Sequence, residues 1–406
     1  MIKAELLAPA GDMNKLKTAF YFGADAAYVG GKNFSLRAQA GNFTDEELER
    51  AVRYSHELGK KLYVTVNILA RNDDIEKAVG YLEFLERIGA DGAIISDAGL
   101  VALAKEVAPE LPVNLSTQAN TLNFKAARLW KEFGVKRVIL ARELSLKEIR
   151  EISEANDGLE IETFIHGAMC ISYSGRCLLS DYRTGRKSNR GECVQACRWN
   201  YEIREKGSLG AFMEMEEDSR GTYILNSKDL CLVDYLAELI DAGVCSMKIE
   251  GRMKSEYYLA TVINAYRRAL DELYEKGAEY KKNPLYKSEL NKTAHREFTT
   301  AYLLGENDRT ENFSDSQSVG THKFIASVLE DTNKEGYALI EMRNRFVTGD
   351  VLEVLSPADS FNNEIRVERM TDENGNTVSD AKIVQQKLRL YTKVPLASGD
   401  MLRRKI

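Results

Sequence analysis

Between Glu162 and Trp199 the chain carries Cys170, Cys177, Cys193 and Cys197, four of its six cysteines, spaced Cys-x6-Cys-x15-Cys-x3-Cys. Thiolates are soft ligands, and four that converge on one point can hold an iron–sulfur cluster or a closed zinc site. Neither pair has the Cys-x2-Cys spacing of a zinc ribbon. That favours a 4Fe-4S cluster, whose corners lie further apart than the ligands of a single ion. Four inert thiols used as small hydrophobes are the remaining reading, but the flanks are glycine, serine and charge rather than an apolar stripe. Cys231, in Asn226-Ser227-Lys228-Asp229-Leu230-Cys231, is a reserve ligand, and Cys245 reads as core.

Around the cysteines lie Arg176, Arg183, Arg186, Lys187, Arg190 and Arg198, interleaved with Tyr182 and Trp199. Guanidinium groups bind phosphate or carboxylate in a fork and aromatic rings stack on unpaired bases, so this mixture suits an extruded RNA nucleotide. A solvated charged surface is the plainer alternative for any one of these cations. Other chemistries find no motif: there is no His-Glu-x-x-His, no Gly-x-Ser-x-Gly and no P-loop, and the chain has only four histidines. The one route to a nucleophile is His166 with a neighbouring cysteine.

Elements that position such a loop can be read along the first 253 residues, where short β-branched runs alternate with longer amphipathic segments. Strands are expected at 5–8, 26–30, 61–66, 92–96, 113–118, 137–141, 161–166 and 246–250. Gly23, Gly89, Gly134 and Gly243 supply left-handed helix caps just before four of them. The repeated unit predicts a (β/α)8 TIM-type barrel, whose chemistry sits at the C-terminal ends of its strands. Asn67, Asp97, Thr117, Gln118, Asn120, Arg142, Glu143, His166, Lys248, Glu250 and Arg252 fall at those ends and are expected to face one mouth. Helix capping is the alternative for each one singly.

At 406 residues the chain exceeds the roughly 250 that one barrel absorbs. The expected division is a barrel over 1–280 with a cysteine-rich insertion at about 167–230, a linker or return segment over 281–315, and a small all-β domain, a barrel, over 316–406. That last part lacks convergent titratable residues, which points to binding rather than catalysis. A net charge of −6 argues against a generic nucleic-acid coat but leaves room for a local basic patch. No apolar run is long enough to cross a membrane and the N-terminus lacks a signal-peptide pattern, so a cytoplasmic location is expected, where clustered cysteines bind metal more often than they form disulfides.

Several of these motifs are specific. Glu162-Thr163-Phe164-Ile165-His166-Gly167-Ala168-Met169-Cys170 followed by Gly175-Arg176-Cys177-Leu178-Leu179-Ser180 resembles the signature of the collagenase-like peptidases of unknown catalytic type. The opening Glu5-Leu6-Leu7-Ala8-Pro9-Ala10-Gly11, the Cys193 to Trp199 segment and Lys248-Ile249-Glu250-Gly251-Arg252 are similar too, so the resemblance spans the barrel. The terminal β-domain resembles that of the RNA-hydroxylating branch, the tRNA 5-hydroxyuridine synthases. That branch implies hydroxylation of the tRNA wobble uridine, prephenate as co-substrate, and an iron–sulfur cluster held by Cys170, Cys177, Cys193 and Cys197, with an electron donor as a further partner. The family name implies a peptidase instead, and a related branch implies hydroxylation of a ribosomal RNA cytidine. A redox sensor on an RNA-binding module is the non-enzymatic reading. Glu162 and His166 in the signature are the expected catalytic residues, together with Arg142, Lys248 and Arg252 as mouth-facing cations for a carboxylate.

Overall fold

The computed structural model describes residues 3–35, 41–170, 172, 179–184, 186, 194, 217–218, 221–222, 228–305 and 319–406. In the first half, strands β1 (Glu5–Pro9), β2 (Ala26–Gly30), β3 (Lys61–Val66), β4 (Gly92–Ile95), β5 (Val113–Leu115), β6 (Arg137–Ile139) and β7 (Glu160–Ala168) alternate with helices α1 (Met13–Tyr21), α2 (Asp45–Glu57), α3 (Asn72–Arg87), α4 (Ala98–Val107), α5 (Phe124–Glu132) and α6 (Leu146–Glu154). After α7 (Leu179–Thr184) come β8 (Asp229–Cys231), α8 (Leu236–Asp241), β9 (Val244–Ile249), α9 (Glu256–Lys276), α10 (Pro284–Leu290) and β10 (Phe298–Thr299).

Eight of these strands close a barrel. β1 to β7 run parallel in sequence order, and β9 pairs both with β7 and with β1, setting Val244 beside Ile161 and Glu5 beside Ser246. β2 is buried along its whole length, as a strand covered on both faces must be. The helices begin where side chains can take up their orphan amides: Asp12 caps α1, and Thr44 with Glu47 and Ser145 with Glu148 form reciprocal boxes at α2 and α6. Gly23 and Gly243, at φ +101° and +90°, turn helices into the following strands as the sequence predicts.

Beyond β7 the chain doubles back, for β8 pairs antiparallel with the end of β7, Cys231 opposite His166, and β10 adds to β8 in parallel. The segment over 281–315, expected as a linker or return segment, contributes in its described part, residues 281–305, a helix, α10, and a strand of the barrel sheet. Pro284 stands in the first turn of α10, where its missing amide costs nothing, whereas α9 already ends at Gly277.

The remaining chain forms β11 (His322–Glu330), β12 (Tyr337–Met342), β13 (Val351–Leu355), β14 (Glu364–Arg366), β15 (Met370–Thr371), β16 (Lys387–Tyr391) and β17 (Met401–Lys405). They make one antiparallel sheet in the order β14-β13-β17-β11-β12-β16-β15 around a core of its own, including Ile325, Ile340, Leu352, Leu388 and Leu402. It is fixed to the barrel by buried charge. Arg403, with no exposed surface, meets Glu289 of α10 at 2.6 Å and Glu353 at 2.5 Å, and Lys292 meets both carboxylates. Tyr257 of α9 stacks on Phe324 at 5.5 Å beside them.

Candidate active site at the barrel mouth

Alternation along β7 turns Glu162 and Phe164 into the barrel. Glu162, with no exposed surface, accepts from Lys248 Nζ at 2.9 Å, from Arg137 Nη1 at 3.0 Å and from Ser246 Oγ at 3.1 Å. Arg137 Nη1 also donates to Glu5 at 2.6 Å. Two carboxylates thus face two cations inside the barrel, which is how buried charge becomes tolerable. Burial pulls the Lys248 ammonium below its ordinary pKa and Glu162 opposes the shift. Glu162 and Lys248 were expected among the catalytic residues, Lys248 as a mouth-facing cation; the structure buries both inside the barrel, with the Tyr28 and Phe164 ring centroids 4.1 Å and 5.7 Å from Lys248 Nζ.

The mouth itself is framed by two arginines. Arg142, just past β6, stacks on Phe164 at 4.7 Å and donates from Nη1 to the Ala168 carbonyl at 2.7 Å, pinning the exit of β7. Two residues on, Cys170 is exposed and in no disulfide. Beside Arg142, burial pushes the Glu143 carboxyl up from its ordinary value. Arg252, beyond β9, crosses the mouth to hydrogen-bond Ser35 Oγ at 2.7 Å, Thr65 Oγ1 at 3.1 Å and Asn42 Oδ1 at 3.1 Å. Gly30 makes that crossing possible, since a Cβ there would stand 2.6 Å from Arg252 Nη1. Gly167 of the signature has φ +106° and would bring a Cβ to 2.7 Å from the Glu250 carbonyl, so only glycine lets the β7 exit pack on the β9 exit.

His166 does not face the mouth. A register shift between Lys248 and Ile249 puts an irregularity into the β7–β9 pairing just before it. Its ring, 1% exposed, packs among Tyr258, Tyr266 and Phe298, with Nδ1 3.3 Å from the Tyr266 hydroxyl. Burial pushes its pKa down to about 3, against the opposing pull of Asp229. The imidazole is sealed off among these rings, and a pKa held that low makes it a weak general base for a peptidase. Cys231 is buried on the neighbouring strand with its thiol pushed up to about 11 by burial, and it sits opposite His166, four residues back along the chain from exposed Cys170. Cys245 is partly buried and donates to the Ile161 carbonyl, as a core thiol does.

Elsewhere the plainer expectations hold. Asp97 caps α4 through the Gly99 and Leu100 amides, and Thr117 donates to the Leu140 carbonyl. Arg183 is exposed on α7, and Arg186 is half-buried with its amide donating to Thr184 Oγ1. Cys177, Cys193, Cys197, Arg176, Lys187, Arg190, Arg198 and Trp199, and the Tyr182 side chain, lie outside the described residues. Among the described residues no three His, Cys, Asp or Glu side chains converge as metal ligands. The sequence reading passed over Asp229 and Arg296, a buried pair at 2.6 Å joining β8 to the segment before β10. Burial opposes it, yet the guanidinium holds the Asp229 carboxyl below its usual range.

This arrangement has known counterparts. The model of peptidase family U32 matches residues 11–312, and that of the peptidase family U32 C-terminal domain matches 320–403. The chain belongs to peptidase family U32. Within it, the chain is 39% identical over 99% of its length to the tRNA hydroxylation protein P1 of Bacillus subtilis, covering 95% of that protein. It is 36% identical to the tRNA hydroxylation protein P of Escherichia coli, covering 93% of this chain and 91% of that one. A collagenase of Porphyromonas gingivalis is 32% identical over 74% of each chain. No helix among the described residues of this U32 member is long and apolar enough to cross a membrane.

Proposed function

We propose that this U32 protein is an enzyme that hydroxylates tRNA, forming 5-hydroxyuridine at the anticodon wobble position with prephenate as co-substrate. One observation carries the reading: similarity to proteins named for tRNA hydroxylation runs through barrel and β-domain alike, leaving little of either chain unmatched. The mouth supports it chemically. Half-buried Arg142 offers a guanidinium suited to carboxylate or phosphate oxygens, and Cys170 emerges at the strand exit that Arg142 pins. Cys170, Cys177, Cys193 and Cys197 form a donor set of the right chemistry for a 4Fe-4S cluster, which when bound supplies a Lewis acid or an electron-transfer centre. The residues present do the rest: Arg142 orients the anionic co-substrate, buried Arg252 braces the wall of the mouth through Ser35, Thr65 and Asn42, and the Phe164–Tyr28 layer closes the barrel interior below it.

The collagenase relative favours a peptidase as the second reading. It needs an activated nucleophile, and His166, the histidine of the signature, is neutral and buried.

Nucleoside mass spectrometry of tRNA from a deletion strain is the test. Loss of 5-hydroxyuridine derivatives, restored by the wild-type gene and not by Cys170→Ser, is the expected result. An unchanged nucleoside profile in a strain with no second copy overturns the assignment. Anaerobically purified protein is expected to carry iron and sulfide near four each per chain, and a colourless, iron-free preparation overturns the cluster.

A further inference from the structure

Flanking the mouth is a cleft of about 550 Å³ between the loop after β2 and the outer face of α3, a volume suited to a small ligand or a single nucleotide. Its wall is a run of three rings: Phe34 stacks on Tyr81 at 5.3 Å and 30°, and Tyr81 on Phe84 at 6.2 Å and 28°. Arg87 lies over Phe84, 5.4 Å from the ring centroid. Phe34 holds φ +59°, a left-handed conformation that an aromatic residue keeps only when its surroundings enforce it, and such strain concentrates where ligands are gripped.

Two further features mark the cleft as built to receive something. Gly80, inside α3, lines it, and an added Cβ would meet nothing within 4 Å. Packing does not ask for glycine there although glycine weakens a helix; the bare backbone deepens the cleft. Exposed Lys32 and Lys77 stand at the rim, with Asp45 and Asp74 as acceptors. Next to Phe34, Ser35 also lines the cleft and receives the Arg252 guanidinium at 2.7 Å, so the cleft opens one residue away from the mouth.

We propose that this cleft binds a nucleobase of the RNA strand flanking the nucleotide that enters the barrel. The inference rests on the RNA-modifying reading above. Nearly parallel rings offer flat faces that suit a base better than a peptide side chain, and ammonium groups at the rim suit its phosphates.

The test uses the full-length protein and a hairpin RNA carrying the anticodon loop, with 4-thiouridine placed in turn on either side of the target uridine. Irradiation is expected to cross-link one of these positions to the peptide containing Phe34 or to that containing Tyr81 and Phe84, identified by mass spectrometry. Phe84→Ala is expected to raise the Kd and KM for the hairpin roughly tenfold, the usual scale for losing one stacked base. Its kcat at saturating RNA should stay within about twofold, Phe84→Trp should restore binding, and Lys77→Glu should weaken it. Phe84 is only partly buried, so its truncation leaves the fold intact, and thermal melting checks this. Wild-type protein that binds the hairpin, with an unchanged Kd in Phe84→Ala and Lys77→Glu and no cross-link to the cleft, overturns this site and leaves the RNA reading standing. Wild-type protein that neither binds nor modifies RNA overturns both.

Discussion

Lowering the pH tests the placement of His166 directly. In the unfolded chain its imidazole takes up a proton near its ordinary value of 6.5, whereas in the fold burial among Tyr258, Tyr266 and Phe298 holds it unprotonated until about pH 3. A folded pKa below the unfolded one means that the stability contributed by neutral His166 is fully present above pH 6.5 and is lost as the pH falls towards 3. The slope in that window is about 1.4 kcal/mol per pH unit. Between pH 7 and pH 5 it amounts to about 2 kcal/mol, a large share of the 5–15 kcal/mol that holds a typical domain together. Urea denaturation of wild-type protein and His166→Phe at pH 7, 6 and 5 reads it, because Phe fits an aromatic surround and abolishes this titration, while the Tyr266 hydrogen bond lost with the imidazole lowers stability by the same amount at each of these pH values. Other groups contribute equally to both proteins, so the difference between the two slopes isolates His166. Parallel slopes would mean that the ring is solvated and protonated in the native state, and the argument against a His166-based peptidase would fail with it.

Further outcomes follow from the same geometry. Glu162→Gln leaves the Lys248 ammonium buried without its carboxylate and is expected to cost about 3–5 kcal/mol; adding Lys248→Met should recover most of that, and strictly additive losses in a double-mutant cycle would contradict a structural pairing. Tyr81→Phe removes a buried hydroxyl that has no hydrogen-bond partner among the described residues and is expected to stabilise the protein by about 1 kcal/mol, seen as a higher Tm; a lower Tm would show that the hydroxyl is satisfied. Glu289→Gln leaves Arg403 with Glu353 as its one carboxylate among the described residues, beside the Asn362 side-chain oxygen. Limited proteolysis should then release the β-domain more readily than in wild type, and unchanged cleavage would show that apolar contacts suffice to dock it.

The barrel was legible because its strands are short apolar runs following glycine-capped helices, patterns that local chemistry imposes whatever the rest of the chain does. Arg142 and Arg252 could be placed at the mouth for the same reason: each lies within a few residues of a strand's C-terminal end. The position of His166 could not be read this way. Sequence spacing assigns a strand residue to one face or the other by period two, and a single irregularity in the β7–β9 register overrides the count. Glu162 and Lys248 look in sequence like polar residues gathered for chemistry; only the closure of β9 onto β7 brings them to 2.9 Å and turns two isolated charges into a neutral buried pair.

For residues 281–305, expected within a linker or return segment, nothing local says where the strand Phe298–Thr299 will join the barrel sheet. The aromatic cleft was equally hidden, because Phe34 and Tyr81 lie on separate elements 47 positions apart in the chain and stack only once α3 has packed against β3. By itself, then, the sequence determined the barrel and the β-domain, both of which depend on composition and short-range periodicity. Which charges are buried, which histidine is silent and where a second ring system opens beside the mouth were decided by the tertiary structure, because pairing and desolvation depend on neighbours that the chain order does not name.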